Sequence, residues 1–187
     1  CWRRFGLVTI GRPEDRFSDA PSRIRDTFVY AFAQKRVLQK PFGINHFVLF
    51  WSFMILMLAN GEFLLHGLFP AVSFSVLPDW MYHPLVFVFD CVSLFALACV
   101  IIAGIRRAFR PPYPEAITLD SYVILSMIAL LMIAFFNLHG IEIASGIEPA
   151  EAFMPVSAAV GAVFYAGLPV ESAGPSIAFW WWVHAVV

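Results

Sequence analysis

The sequence predicts an all-α fold, an integral membrane helix bundle with four visible transmembrane helices. Of its 187 residues, 60% are hydrophobic and only 13% are charged, and the mean hydropathy is +0.78. A soluble domain of this size needs a more highly charged surface than this composition provides. Two further observations support the prediction: the apolar residues form four long stretches, and the basic residues alternate between the segments that join them.

Each apolar stretch has the composition of a helix that crosses a bilayer. The first three occupy residues 43–66, 84–105 and 120–139, and each has about the 20 residues that a membrane helix needs. The fourth starts near Ser176 and continues to Val187. Because the sequence starts with Cys rather than Met and stops within an apolar run, we expect it to be a piece of a longer protein, truncated at both ends.

The polar segments complete the predicted organisation. Residues 1–42 are basic and rich in Gly, Pro and Asp, which indicates a cytoplasmic loop, with a surface helix over residues 23–40. Residues 43–187 form the predicted transmembrane domain. Within its long segment 140–175, the stretch 154–168 (MPVSAAVGAVFYAGL) is typical of an interfacial or re-entrant helix.

The basic residues predict the orientation. Nine of the twelve Lys and Arg residues lie in residues 1–42, and the others are Arg106, Arg107 and Arg110. The segments 67–83 and 140–175 contain none, although they carry five acidic residues. Because basic loops stay on the cytoplasmic side, we predict a multi-pass protein of the cell's inner (cytoplasmic) membrane with residues 1–42 and 106–119 in the cytoplasm.

The cysteines and the basic residues each argue against one class of function. Cys1, Cys91 and Cys99 form no CxxC or CxxxC spacing, so this sequence cannot ligate an iron–sulfur cluster or a structural zinc ion on its own. Nucleic-acid binding has no support, because the topology rule accounts for the basic residues.

Ionisable residues at membrane depth are costly, so each one calls for a reason. His46 lies just inside the first crossing, and His184 lies several residues into the fourth, after three tryptophans that we assign to an interfacial belt. Helix bundles hold haem b between histidines of facing helices, and neutral imidazole is a strong ligand for its iron. The alternative is an interfacial histidine bonded to a carbonyl group or water.

The other candidates lie nearer the ends of the crossings or are carboxylates. His66 and His139 are close to the outer ends of their helices, and His66 is turned by about 200° from His46 on a straight helix. Glu62 and Asp90 can serve a proton path or a quinone headgroup, or bond to a neighbouring helix, and Asn60 and Ser52 can complete the polar contact of Glu62. We take Glu62 and His139 as the candidates for quinone or proton chemistry.

Arg106 and Arg107 also have two interpretations. With Arg110 they form a cluster at the end of the second crossing, which is typical of a topology anchor. They can also pair with haem propionates or with anionic lipid.

Several stretches together resemble a known family. GINHFVLFWSF, FDCVSLFALACVIIAGIRRAFRPP and FWWWVHAVV resemble the membrane domain of heterodisulfide-reductase-related iron–sulfur proteins, which is similar to the cytochrome b (gamma) subunit of respiratory nitrate reductase. The stretch RRFGLVTIGRPEDRFSDAPSRIRDTF resembles the cytoplasmic loop after the first helix of those proteins. The resemblance implies five transmembrane helices, of which the visible crossings are the second to the fifth.

The resemblance also implies two b-type haems, held by histidines of the second and fifth helices. His46 matches the inner-haem ligand and His184 the outer-haem ligand, and the partner of His46 would lie past Val187. Leu56 stands where the family has its outer ligand on the second helix. His66 is then the candidate substitute.

The function that the resemblance implies is electron transfer between a cytoplasmic donor and the quinone pool. The donor is an iron–sulfur protein or an electron-transfer flavoprotein, the quinone is menaquinone, and the iron–sulfur clusters lie in a part of the protein absent from this sequence. The alternatives are a haem-free membrane anchor or quinone-binding subunit of a larger complex, and a small transporter. The transporter is disfavoured because the sequence has no inverted repeat and no pair of Gly/Pro-broken helices.

Overall fold

The computed structural model describes Gly6, Asp15 and residues 18–111, 117–148 and 153–187. Every regular element in these residues is helical, which confirms the predicted all-α class. The chain divides into two compact units, Cys1–Gly43 and Ile44–Val187. Half of the stretch that resembles the family's cytoplasmic loop, and residues 112–116 of the predicted cytoplasmic segment 106–119, lie outside the described residues.

The described part of the first unit contains short helices. Helix α1 spans Ala20–Thr27, a π-helical turn follows at Phe28–Phe32, and α2 spans Lys35–Leu38. The single surface helix predicted over residues 23–40 is therefore interrupted. The interruption lies at Gln34, whose φ of 48° is in the left-handed region that a continuing right-handed helix excludes.

The second unit carries the predicted crossings. Helices α3, α4 and α5 span Gly43–Leu68, Asp79–Phe109 and Leu119–Ala144, and each is long and apolar enough to cross a membrane. A 3₁₀ turn lies at Phe74–Val76, and α6 and α7 span Pro155–Phe164 and Val170–Val186. Together with their apolar composition, these lengths identify a multi-pass membrane protein.

The observed helices extend past the predicted limits, most clearly at the start of α7. The prediction placed this start near Ser176, after the segment 140–175 that carries Gly, Pro, Glu and Ala. The structure starts the helix at Val170 and includes Pro175 in its second turn. Pro175 is the sixth residue of this helix, so it leaves the carbonyl group of Glu171 without the N–H that an i+4 residue normally donates.

Helix α5 is at the centre of the packing and contacts α4, α6 and α7. Its closest approach to α6 lies at two glycines. A β-carbon on Gly161 would overlap the Gly140 carbonyl group, and one on Gly140 would lie 3.0 Å from the Gly161 nitrogen. Small residues of this kind let membrane helices approach closely, since apolar burial alone gives them no preference over lipid.

The core of this unit combines residues from α3, α4 and α5 with Met154, which precedes α6. Large apolar side chains also cover the outer surface of the crossings; Phe53, for example, is 66% exposed. An apolar surface of this extent is compatible with lipid rather than water. The buried hydrophobic cluster comprises Leu56, Val86, Phe89, Ala96, Met132, Phe135, Phe136, Ile143 and Met154.

Candidate functional site

A cavity of about 240 Å³ lies where α3 ends, α4 starts and α5 ends. We call this part of the second unit the cavity end. One part of the wall is aromatic and apolar, and it includes Phe63, Phe89, Phe135, Met154 and Trp181. The other part is polar and contains Asn60, Glu62, His66, Tyr82, His139, Glu142, Glu148 and His184.

The polar wall is centred on His139. Glu142 follows it by three residues on α5, so the two side chains share one face of the helix. The Nδ1 atom of His139 lies 3.3 Å from Glu142 Oε2 and 3.1 Å from Glu148 Oε2. Two carboxylates thus converge on one imidazole nitrogen, and we call His139, Glu142 and Glu148 the triad.

Glu148 reaches His139 because the chain reverses after α5. The helix ends at Ala144, and Gly146 takes a φ of 73°, which glycine adopts without steric cost. The N–H groups of Ile147 and Glu148 both donate to the carbonyl group of Glu142. This C-terminal turn folds residue 148 back against the last turn of the helix.

The charge of Glu148 is stabilised by its neighbours. Burial alone would raise the pKa of this carboxyl group, but the hydrogen bond and the charge of His139 outweigh burial and lower it. The Tyr82 hydroxyl lies 3.5 Å from the other oxygen of Glu148. Glu148 is therefore a carboxylate, oriented by one residue of α5 and one of α4.

His184 lies on the opposite side of the cavity, on α7. It is 8% exposed, its Nε2 is 3.1 Å from Asn60 Oδ1, and its ring centroid is 4.6 Å from that of Phe63. The Nδ1 atom is buried and has no hydrogen-bond partner among the described residues. His184 is thus a buried imidazole with one nitrogen available.

Two more predicted candidates line the same cavity. Glu62 accepts a hydrogen bond from the Phe74 backbone N–H at 3.1 Å, and Nδ1 of the exposed His66 lies 3.2 Å from the Val72 carbonyl oxygen. Asn60, which the sequence suggested as a partner of Glu62, contacts His184 instead. The structure therefore brings Glu62, His66, His139 and His184 to one site.

The remaining candidates lie elsewhere in the unit. His46 is exposed near the start of α3 and precedes Asn60 by 14 residues, which corresponds to about 21 Å along the helix. Arg106 and Arg107 are in the last turn of α4, and Asp79 starts that helix at the cavity end. The structure does not bring these three basic residues to the cavity.

Asp90 is fully buried but does not line the cavity. Its carboxylate accepts hydrogen bonds from Val156 N at 2.6 Å, Ser157 N at 3.1 Å and Ser157 Oγ at 2.6 Å. These donors are at the N-terminus of α6, where unpaired N–H groups and the helix dipole favour a negative charge. Of the roles considered for Asp90, the structure shows the bond to a neighbouring helix.

The three tryptophans before His184 do not share one environment, as residues of one interfacial belt would. Trp180 Nε1 donates to the Tyr165 hydroxyl at 3.2 Å, and Trp181 lines the cavity beside Phe63 at a centroid distance of 5.3 Å. Only Trp182 is largely exposed, at 62%. Two of the three predicted belt residues are therefore partly buried by contacts within the unit.

A haem held between two histidines of this chain does not fit the described residues. His184 and His139 are engaged by Asn60 and by two carboxylates, and His66 by a backbone carbonyl group. The cavity between them is also smaller than the roughly 300–1,000 Å³ of most cofactor sites. His184 alone has the burial and the available nitrogen of an axial ligand.

Sequence reasoning missed Glu142, Glu148 and Tyr82 as members of the site. A signal for Glu142 was present, since its spacing from His139 places both on one helical face. Glu148 and Tyr82 carry no such signal, because a turn and a different helix bring them to His139.

Comparison with known proteins gives one informative similarity. No protein-family model matches this chain, and no solved structure matches it. A curated protein of Syntrophomonas wolfei subsp. wolfei, named EtfAB:quinone oxidoreductase, is 28% identical over 198 aligned positions. The alignment covers 100% of this chain but 27% of that protein. The chain is thus similar over its whole length to a minor part of an oxidoreductase.

Proposed function

We propose that this chain is the membrane part of a quinone-linked oxidoreductase and that the cavity receives the quinone headgroup. The observation that carries the proposal is the division of the cavity wall into an aromatic part and the polar part around His139. A flat ring with oxygens at its edge needs both surfaces. The similarity to a protein whose name includes a quinone supports the same substrate class.

The polar residues have complementary roles in this proposal. His139 donates a hydrogen bond to a quinone oxygen, and Glu142 and Glu148 orient its ring. His184 lies on the opposite wall, and its Nδ1 accepts a hydrogen bond from the second oxygen when that oxygen is protonated, because its Nε2 donates to Asn60 Oδ1. Phe63, Phe135 and Trp181 pack against the ring, because aromatic faces stack favourably at such distances.

The reaction is the two-electron, two-proton interconversion of quinone and quinol. The His139 donor stabilises the charge that develops on one oxygen on reduction, and the His184 acceptor favours the protonated, quinol form of the other. Glu62 is the further acid at the cavity, and we assign it to proton exchange between the site and the aqueous side. The chain's own contribution is to bind and orient the ring and to supply these groups.

The family resemblance supports further proposals about the cofactors, the quinone and the electron donor. They are haem b at His46 and His184 with Arg106 and Arg107 near the propionates, menaquinone as the quinone, and an iron–sulfur protein or electron-transfer flavoprotein as the donor. We also propose the inner membrane as the location, with residues 1–42 and 106–119 in the cytoplasm. His184 has one available nitrogen, so a haem at His184 and the hydrogen bond between His184 and the quinone are alternatives.

Quinone binding can be tested with the full-length protein in detergent. Trp181 lies in the cavity wall, so a short-chain naphthoquinone that enters the cavity is expected to quench tryptophan fluorescence. The His139→Gln substitution should weaken binding about tenfold, the equivalent of one lost hydrogen bond to a buried group, and lower quinone turnover about 100-fold. Wild-type affinity and turnover in this variant would contradict the proposal.

A matched control uses the same change at the other end of α3. His46→Gln should leave quinone quenching unchanged, because His46 is about 21 Å along the helix from the cavity. The same variant tests the haem proposal separately through the reduced b-type absorbance and a pyridine haemochrome assay. Absence of haem from fully loaded wild-type protein would leave a haem-free quinone-binding subunit.

A further inference from the structure

Three atoms of metal-binding type converge on one part of the cavity wall. One nitrogen of His139 and one oxygen each of Glu142 and Glu148 lie within 4.8 Å of one another, and the two nitrogen–oxygen distances are 3.3 and 3.1 Å. Around a tetrahedral ion with bonds of about 2.0–2.2 Å, ligand atoms are separated by roughly 3.3–3.6 Å. The triad is therefore already close to the spacing of a three-ligand metal site.

The charges of the triad also favour a divalent cation. One N–H group of His139 can donate fully to only one of the two carboxylates at a time. The sequence has no Lys or Arg in residues 41–105 or 111–187, so this wall has no permanently charged basic side chain from those segments. A divalent ion that bonds to both carboxylates and to neutral imidazole would balance the two negative charges.

A second observation in the same cavity points to a missing ligand. His184 is more than nine-tenths buried, lines the cavity with the triad, and has an Nδ1 atom without a partner among the described residues. Buried polar atoms in native proteins are nearly always bonded to protein, water or an ion. The Nδ1 atom of His184 can thus be satisfied by a polar ligand bound in this cavity.

We propose that His139, Glu142 and Glu148 bind one divalent transition-metal ion of the Zn²⁺ class, with an open coordination position toward the cavity. Imidazole with carboxylates is a ligand set that such ions accept, and three protein ligands leave room for water. The three side chains are 22–26% exposed, so a hydrated ion can reach them. Binding releases the imidazole proton to solvent, because the ligand must be neutral.

The metal ion would also regulate the cavity. The ion on Nδ1 and the water in its open position would take up part of the cavity that we assign to the quinone, so Zn²⁺ should inhibit quinone binding. This consequence rests on the proposed function, whereas metal binding itself does not.

The direct test is a titration of the full-length protein with zinc sulfate, followed by equilibrium dialysis and metal analysis. The wild type should retain one more Zn²⁺ per chain than the Glu142→Gln/Glu148→Gln double variant. Each single change should weaken the affinity of this site at least tenfold, since even outer-sphere partners of metal ligands contribute about 10–100-fold. Glu171→Gln, an exposed glutamate on α7, should bind as the wild type does. Equal retention by the double variant and the wild type would overturn the site.

A second measurement needs no variant and is independent of folding defects. X-ray absorption at the zinc edge of the wild type, loaded with one equivalent of Zn²⁺, should show one imidazole nitrogen with oxygen ligands. Sulfur ligands, or two or more imidazoles, would place the ion elsewhere and overturn the proposal.

Quinone quenching with and without Zn²⁺ separates this inference from the proposed function. Zn²⁺ bound by the triad together with weaker quinone quenching supports both. Quenching without Zn²⁺ binding overturns the metal site alone, and Zn²⁺ binding without any quenching supports the metal site while overturning the quinone site.

Discussion

Asp90 and the triad place carboxylates among the same helices, but their hydrogen bonds are made in different ways. Asp90 is fully buried and accepts from two backbone N–H groups and one hydroxyl of a single helix start. Glu142 and Glu148 are 24% and 22% exposed and share one imidazole at a cavity. The former contacts are fixed by the fold of α6, whereas the latter can be exchanged for a ligand.

The contrast shows that depth in the membrane does not by itself identify a functional acid. A buried charge is tolerated when fixed dipoles surround it, and then it serves packing. A partly exposed carboxylate that shares a side-chain partner at a cavity keeps the capacity to bind a ligand. We therefore expect substitutions at Asp90 to affect stability, and substitutions in the triad to affect binding.

The largest expected effect is that of Asp90→Ala on stability. The change leaves three donors of Val156 and Ser157 without their acceptor, and each buried unsatisfied group costs about 1–3 kcal/mol. We expect the free energy of unfolding to fall by about 4 kcal/mol, measured by chemical or thermal unfolding in detergent with circular dichroism.

The control for this prediction is on the same helix. Asp79 is exposed in the first turn of α4, and Asp79→Ala should cost about 0.3–1 kcal/mol through the helix dipole. Equal losses at the two positions would mean that burial and capping do not distinguish Asp90. If Asp90→Ala protein remains folded but loses Zn²⁺ or quinone binding, Asp90 serves binding as well as stability, contrary to the distinction drawn here.

The sequence predicted the crossings well because a membrane helix is recorded in a continuous apolar stretch. It located their ends less well, since polar residues such as Asp79 continue a helix past its apolar part. His139 and Glu62 could be selected because ionisable residues at this depth are rare.

The composition of the site was less predictable, because its contacts join distant parts of the chain. His184 and Asn60 are separated by 124 positions, and Glu148 depends on the turn at Gly146. His46 was selected from the sequence because it matches a histidine of the resembling family. Its position near the start of α3 nevertheless separates it from the cavity.

Gly161→Ala should have the second-largest effect. The new methyl group would overlap the Gly140 carbonyl group, which is backbone and cannot move without displacing α5. Overpacking of this kind costs about 1–3 kcal/mol, and unfolding in detergent would measure it. Gly61→Ala is the control, because a β-carbon there meets nothing within 4 Å; helix propensity predicts a gain of about 0.8 kcal/mol before any change in lipid contact.

This pair of variants also sharpens the contrast between the two carboxylate sites. Gly161 and the Asp90 donors belong to the same helix, so Gly161→Ala should reduce stability while folded protein still binds Zn²⁺ at the triad. Loss of Zn²⁺ binding in folded Gly161→Ala protein would show instead that the position of α6 affects the triad.

Tyr165→Phe should have the smallest effect, and it examines a polar contact that carries no charge. The Tyr165 hydroxyl donates to Asn137 Oδ1 at 2.6 Å and accepts from Trp180 Nε1 at 3.2 Å, so it joins α5 to α7. Removing it should cost about 1 kcal/mol, because the neutral amide and indole groups lose one hydrogen bond each and are only partly buried. Tyr122→Phe, near the start of α5, removes the same hydroxyl without touching this network and should cost less. A loss in Tyr165→Phe as large as that in Asp90→Ala would show that the charge of Asp90 adds nothing to its hydrogen bonds, and that the polar contacts of the bundle are equivalent in strength.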